Sequence, residues 1–98
     1  MKIKKYQKLI TGETKKYKKP SSEGSLLLHA VSLAAEVGEV MDEVKKSERD
    51  DEGLISKKRR KKLVDELGDV LFYYLRLCAK LNISLEEVIK QNKKKVSK

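Results

Sequence analysis

Apolar residues recur every three or four positions along two long stretches of this chain. Leu26, Ala30, Leu33, Val37, Val40 and Val44 form one stripe, and Leu63, Leu67, Val70, Tyr74, Cys78 and Leu81 form a second. That period predicts amphipathic helices over about residues 25–46 and 57–81. The polar segment between them, Ser47 to Ser56, contains Gly53 and predicts a loop. Asn82 ends the second helix, and Ser84 with Glu87 three residues on predicts a capping box opening a shorter helix that runs into the lysine-rich tail. Upstream, residues 1–19 read as a basic, partly helical arm with Ile3, Tyr6, Leu9 and Ile10 as its apolar contacts. A turn at Pro20-Ser21-Ser22-Glu23-Gly24 follows, with Ser22 or Ser25 as the cap of the first long helix. No stretch alternates apolar and polar as a half-buried strand does. The expected architecture is all-α, a small helical bundle of two long antiparallel helices, a short C-terminal helix and a basic N-terminal arm.

Length and composition narrow the setting. With 98 residues there is material for one domain, 1–98, and a core modest enough that assembly of copies is a natural source of further burial. No apolar run approaches the roughly 20 residues that a membrane helix needs. The lysine-rich start is not followed by an apolar segment, so a secretory signal is not expected, and a cytoplasmic location is. Cys78 is the single cysteine and reads as a small core residue. The formal charge of +9 raises the question of nucleic acid. However, the basic residues collect before Pro20, at Lys57-Lys58-Arg59-Arg60-Lys61-Lys62 and from Lys90 to Lys98, and no aromatic residue interleaves the 57–62 run. A solvated basic surface that draws in anionic ligands accounts for this better than sequence-reading contacts do.

The chemistry lies in the acidic residues. Glu36-Val37-Gly38-Glu39 and Glu66-Leu67-Gly68-Asp69 each place two carboxylates three apart on a predicted helix, where they are surface neighbours. At about 100° per residue, Glu36, Glu39 and Glu43 share one ridge beside the valine stripe. Glu66, Asp69 and Tyr73 share the equivalent ridge on the second helix. Antiparallel packing through the stripes lets the two ridges line one cleft. Carboxylates gathered that closely repel one another unless a cation sits among them, and a hard ion such as Mg²⁺ or Mn²⁺ suits all-oxygen ligands. The competing reading is two ordinary solvated helix faces. A ferritin-like iron site needs histidines that the lone His29 does not supply, and a histidine–cysteine zinc site lacks the ligands it needs, with one histidine and one cysteine in the chain.

Beyond the acids, these motifs resemble the MazG-like nucleotide pyrophosphohydrolases, in the compact, phage-type branch. The resemblance runs through Leu28-His29-Ala30-Val31-Ser32-Leu33-Ala34-Ala35-Glu36-Val37-Gly38-Glu39-Val40 with Lys45-Lys46, and Glu66-Leu67-Gly68-Asp69-Val70-Leu71-Phe72-Tyr73-Tyr74. It continues through Ile83-Ser84-Leu85-Glu86-Glu87-Val88 and Asn92-Lys93-Lys94-Lys95-Val96. It implies Mg²⁺-dependent hydrolysis of a nucleoside triphosphate to monophosphate and pyrophosphate, with Glu36, Glu39, Glu66 and Asp69 as metal ligands. Lys45, Lys46 and Lys95 are the implied phosphate contacts, Tyr73 a stacking surface for a base, and Asn92 a hydrogen-bonding group for sugar or base. His29, two turns before Glu36, is a further candidate on the ligand side. The resemblance also implies a homodimer or homotetramer. One departure is Ala35, where the family often carries a second glutamate before the first motif; Glu43 is the candidate to supply the extra carboxylate. The basic insert at 47–62 is a candidate for the substrate entrance or a subunit contact. Phosphoribosyl-ATP hydrolysis, and a non-enzymatic nucleic-acid-binding module, are the competing functions.

Overall fold

The computed structural model describes residues 2–11 and 25–97. The expected turn at 20–24 and the lysines just before it lie outside them. Among the described residues the chain is all-α, with helices α1 (Ile3–Thr11), α2 (Leu26–Asp50), α3 (Lys57–Lys80) and α4 (Leu85–Val96). The two long helices pack against one another as an antiparallel pair, and α1 lies against α3.

The starts of α2, α3 and α4 are each set by a serine. Ser25 Oγ accepts from the Leu28 amide at 3.1 Å, and Ser56 Oγ accepts from the Arg59 amide at 3.1 Å. At α4 the capping box forms as its sequence predicts: Ser84 Oγ accepts from the Glu87 amide, and the Glu87 carboxylate accepts from the Ser84 amide at 2.9 Å. The end of α3 is a Schellman turn. The Ile83 amide reaches the Cys78 carbonyl at 2.8 Å and the Asn82 amide the Ala79 carbonyl at 3.1 Å, while Asn82 takes the left-handed conformation that asparagine tolerates.

The end of α2 differs from the sequence expectation. The helix runs to Asp50, four residues beyond the predicted stop, because the polar residues there satisfy one another. Ser47, almost wholly buried, donates from Oγ to the Val44 carbonyl at 2.7 Å. Its own carbonyl then accepts from both the Asp51 and Gly53 amides at 2.9 Å, closing the helix. Glu52 and Gly53 turn the chain back with φ of 54° and 80°.

The core is thin. Val40, Leu75, Cys78 and, from α1, Ile10 are its buried apolar members among the described residues. Several residues of the predicted stripes stay exposed, including Val37, Val44, Leu67 and Leu81. One helix seam covers only a narrow strip of its neighbour, and these stripes are wider than that.

Candidate functional site

The α2–α3 pair fixes which ridges meet. Glu43 on α2 is joined to Lys62 on α3 through Oε1 at 3.2 Å, and to Arg59 through Oε2 at 3.0 Å. Moving one turn along each antiparallel helix from the Glu43–Lys62 level brings Glu39 opposite Glu66, and the next step brings Glu36 opposite Asp69. The carboxylates accordingly converge. Glu36, Glu66 and Asp69 each offer an oxygen within 4.8 Å of the others. Glu36 and Glu66 are half-buried and Asp69 is exposed. Glu39 is exposed and stands outside that group of three. It is nonetheless close enough to be the strongest of the neighbouring charges acting on Glu66.

No lysine or arginine forms an ion pair with these four acids among the described residues. Glu66 shows the consequence. Its carboxyl is pushed above the usual range, first by burial against the helix pair and then by Glu39, Asp69, Glu36 and Glu43. Uncompensated oxygens within reach of one point are a donor set that suits a hard divalent cation, which would relieve both the repulsion and the desolvation.

One turn away the electrostatics reverse. Glu43 is only 4 % exposed and is held by Arg59 and Lys62, with Lys46 a further 3.9 Å contact. Its carboxyl is held below the usual range, mainly by the Lys62 hydrogen bond. The expected extra metal-site carboxylate is therefore committed elsewhere: three cations already share its two oxygens. Sequence spacing put Glu43 on the acidic ridge correctly, but the partner across the seam decides what it does. The basic run at 57–62 held the signal for that partner.

The other candidates are distributed as follows. Lys46 lines the cavity beside Glu43 and pairs with Asp42 at 3.1 Å, whereas Lys45 is exposed. Tyr73 lies one turn beyond Asp69, half-buried, with its ring edge-on to Phe72 at 5.0 Å between centroids. Asn92 and Lys95 line a shallow concavity of about 410 Å³ along α4 with Ile83, Glu87, Val88 and Gln91, and none of the clustered acids borders it. His29 is buried, and its Nδ1 lies 2.8 Å from the Ser25 carbonyl. A carbonyl only accepts, so Nδ1 carries the proton and the ring is tied into the first turn of α2.

Comparison with known proteins supplies the context for this geometry. Residues 25–98 match the MazG nucleotide pyrophosphohydrolase domain. A curated relative, the Gene 37 protein of Mycobacterium phage L5, is 38% identical over 66 residues, covering 67% of this chain and 58% of its own length. The chain thus spans little more than half the length of that relative. No solved structure matches.

Proposed function

This chain belongs to the MazG nucleotide pyrophosphohydrolase family, and on that premise we propose that it hydrolyses nucleoside triphosphates, canonical or modified, to monophosphate and pyrophosphate. The observation that carries the proposal is the convergence of Glu36, Glu66 and Asp69 within 4.8 Å, without an ion-paired cation among the described residues to neutralise them. In this reading those three carboxylates, with Glu39 beside Glu66 as the fourth ligand, hold Mg²⁺ or its substitute Mn²⁺. When bound, the ion neutralises phosphate oxygens and lowers the pKa of the attacking water.

The remaining roles fall to the chain's own residues. Lys45, Lys46 and Lys95 are phosphate contacts. Tyr73, one turn from Asp69, offers a ring face to a base, and Asn92 recognises sugar or base. His29, bound to the Ser25 carbonyl, is assigned to packing rather than substrate. The basic run also fits an enzyme better than a nucleic-acid module, since Arg59 and Lys62 are already ion-paired with Glu43. We assign the working form to a homodimer or homotetramer in the cytoplasm. The exposed apolar residues of α2 and α3 support that assembly, as does a radius of gyration of 15.8 Å against roughly 13 Å for a compact chain of this length. Among the described residues no helix is long and apolar enough to cross a membrane.

The test is hydrolysis of a panel of (d)NTPs and phosphoribosyl-ATP with and without Mg²⁺, with products separated by ion exchange. Monophosphate and pyrophosphate should appear only with metal. Glu36→Gln, Glu39→Gln, Glu66→Gln and Asp69→Asn should each cut turnover at least about a hundredfold with the helical signal intact. Full turnover without metal, or in the Glu66→Gln variant, would sink the proposal, and exclusive cleavage of phosphoribosyl-ATP would reassign the substrate.

A further inference from the structure

The basic run that opens α3 divides between two sides of the helix. Arg59 and Lys62 are paired with Glu43, and Lys58 lines the cavity beside that carboxylate. Lys57, Arg60 and Lys61 fall on the other side, within roughly 100° of arc. All three are exposed, and none forms an ion pair among the described residues. The first turn of α3 holds no acid, and the first acid along the helix is Asp65. Helix formation does not explain this arrangement. Like charges three and four residues apart repel, and cations are disfavoured in the first turn of a helix, so the cluster weakens the element that carries it. A polyanion laid across the face accounts for it.

The surroundings narrow the choice of polyanion. The chain carries a formal charge of +9, so a second copy brings like charge to this face. An acidic protein surface needs an apolar or aromatic anchor at the centre of the contact, and Lys57, Arg60 and Lys61 enclose none. An anionic bilayer would have to take up Leu54 and Ile55, which are exposed in the turn just before α3. Glu48 and Glu52 stand beside that pair, exposed and without an ion pair among the described residues, and the bilayer charge repels them. A nucleic-acid backbone needs neither anchor nor insertion, because lysine and arginine contacts to phosphates suffice for binding without regard to sequence. Single strands are held by stacking on exposed aromatic rings. Tyr6, Phe72, Tyr73 and Tyr74, the described aromatic residues, are all half-buried, which leaves a duplex.

We propose that the outward face of the first two turns of α3, formed by Lys57, Arg60 and Lys61, is a docking surface for the phosphate backbone of a nucleic-acid duplex, engaged by charge and not by sequence. This function is additional to nucleotide hydrolysis and does not depend on it. It uses the side of α3 turned away from Glu43, so duplex and nucleotide occupy different surfaces of one helix pair. The run thus serves two ends: its inward members hold Glu43, and its outward members hold the chain to a polyanion.

The experiment is fluorescence anisotropy of a labelled DNA duplex titrated with the whole chain in EDTA, across about 50 to 200 mM salt. Three neutralised phosphates contribute about −2.7 to the slope of log K against log salt. Lys57→Gln, Arg60→Gln and Lys61→Gln combined should remove that contribution and weaken binding at least about tenfold at the lowest salt. The combined variant should melt no lower than the unaltered chain, since it relieves repulsion. Should it melt lower, Lys57→Gln and Lys61→Gln taken singly should each reduce the slope by about 1. Lys57→Arg with Lys61→Arg, which keeps the charge, should bind as the unaltered chain does. Lys93→Gln with Lys94→Gln, on α4, should bind nearly as tightly. Unchanged binding in the α3 variants, or an equal loss in the α4 variant, overturns the docking surface. Tighter binding of the corresponding single strand overturns the duplex as its occupant. Binding to vesicles of equal parts phosphatidylserine and phosphatidylcholine, with none to the duplex, overturns the proposal in favour of a membrane surface.

Discussion

Glu43 and Glu66 are the same residue type in opposite surroundings, and their acid–base behaviour should differ in sign. Glu43 is held below its ordinary value of 4.5 by Lys62 before any other group. A carboxyl depressed by folding contributes stability that is present above its unfolded pKa and lost as pH falls through the folded one. Glu66 is raised above 4.5 by burial and by its acidic neighbours. It therefore imposes a penalty that grows as pH rises from 4.5 and is complete above the raised value. Thermal melts without metal, taken between pH 3 and 7, should show Glu43→Gln less stable than the unaltered chain at pH 7 and converging with it in acid. Glu66→Gln should melt higher at pH 7. If both variants track the unaltered chain across the range, neither environment is as described. Helical spacing brought Glu36, Glu39, Glu66 and Asp69 forward on two facing ridges, and three of them, Glu36, Glu66 and Asp69, converge within 4.8 Å. It offered Glu43 as an extra member of the acidic set, because spacing along one helix gives a direction and not the cations, Arg59 and Lys62, waiting on the other.

Among the elements, the turn between α2 and α3 carries the register and is the most exacting piece of backbone. Gly53 sits at φ of 80°, and an added Cβ there would lie 3.0 Å from a Glu48 carboxylate oxygen. Gly53→Ala should cost about 1–2 kcal/mol in a denaturant titration, the usual penalty of the left-handed region, and an unchanged midpoint would contradict the geometry. The α4 capping box and the α3 end at Asn82 were readable in the sequence because both are written in residue types with few other uses. The true end of α2 was not, since it depends on Ser47 closing hydrogen bonds with groups at either side of it.

For the whole molecule, the exposed apolar residues are the feature that one chain does not explain. Met41, Val64 and Leu71 are all more than a third exposed, on the two helices that build the site. Light scattering at micromolar concentration should give at least twice the chain mass of 11.3 kDa; a clean monomer would refute the proposed assembly. Gly38 and Gly68 bear on the same question. A glycine inside a helix costs on the order of 1 kcal/mol, which suggests that each marks a close approach, yet among the described residues each has open space where a Cβ would go. Alanine at either position should stabilise its helix by about 1 kcal/mol. Lower stability together with a lower mass would place the glycines between copies. The fold class was legible because helical periodicity is local. The width of the exposed surface was not, because a stripe records what is apolar and not how much of it one neighbour can cover.

The clamp on Glu43 has a consequence for how the site comes into being. Glu43 and Arg59 are only 16 residues apart along the chain, and the acids and the cavity are built from one continuous hairpin. Closing so short a loop costs little entropy, and contacts so local form quickly. The arrangement of charges is therefore set within a single chain, at a rate independent of protein concentration, and any partner copy meets a hairpin whose chemistry is already in place.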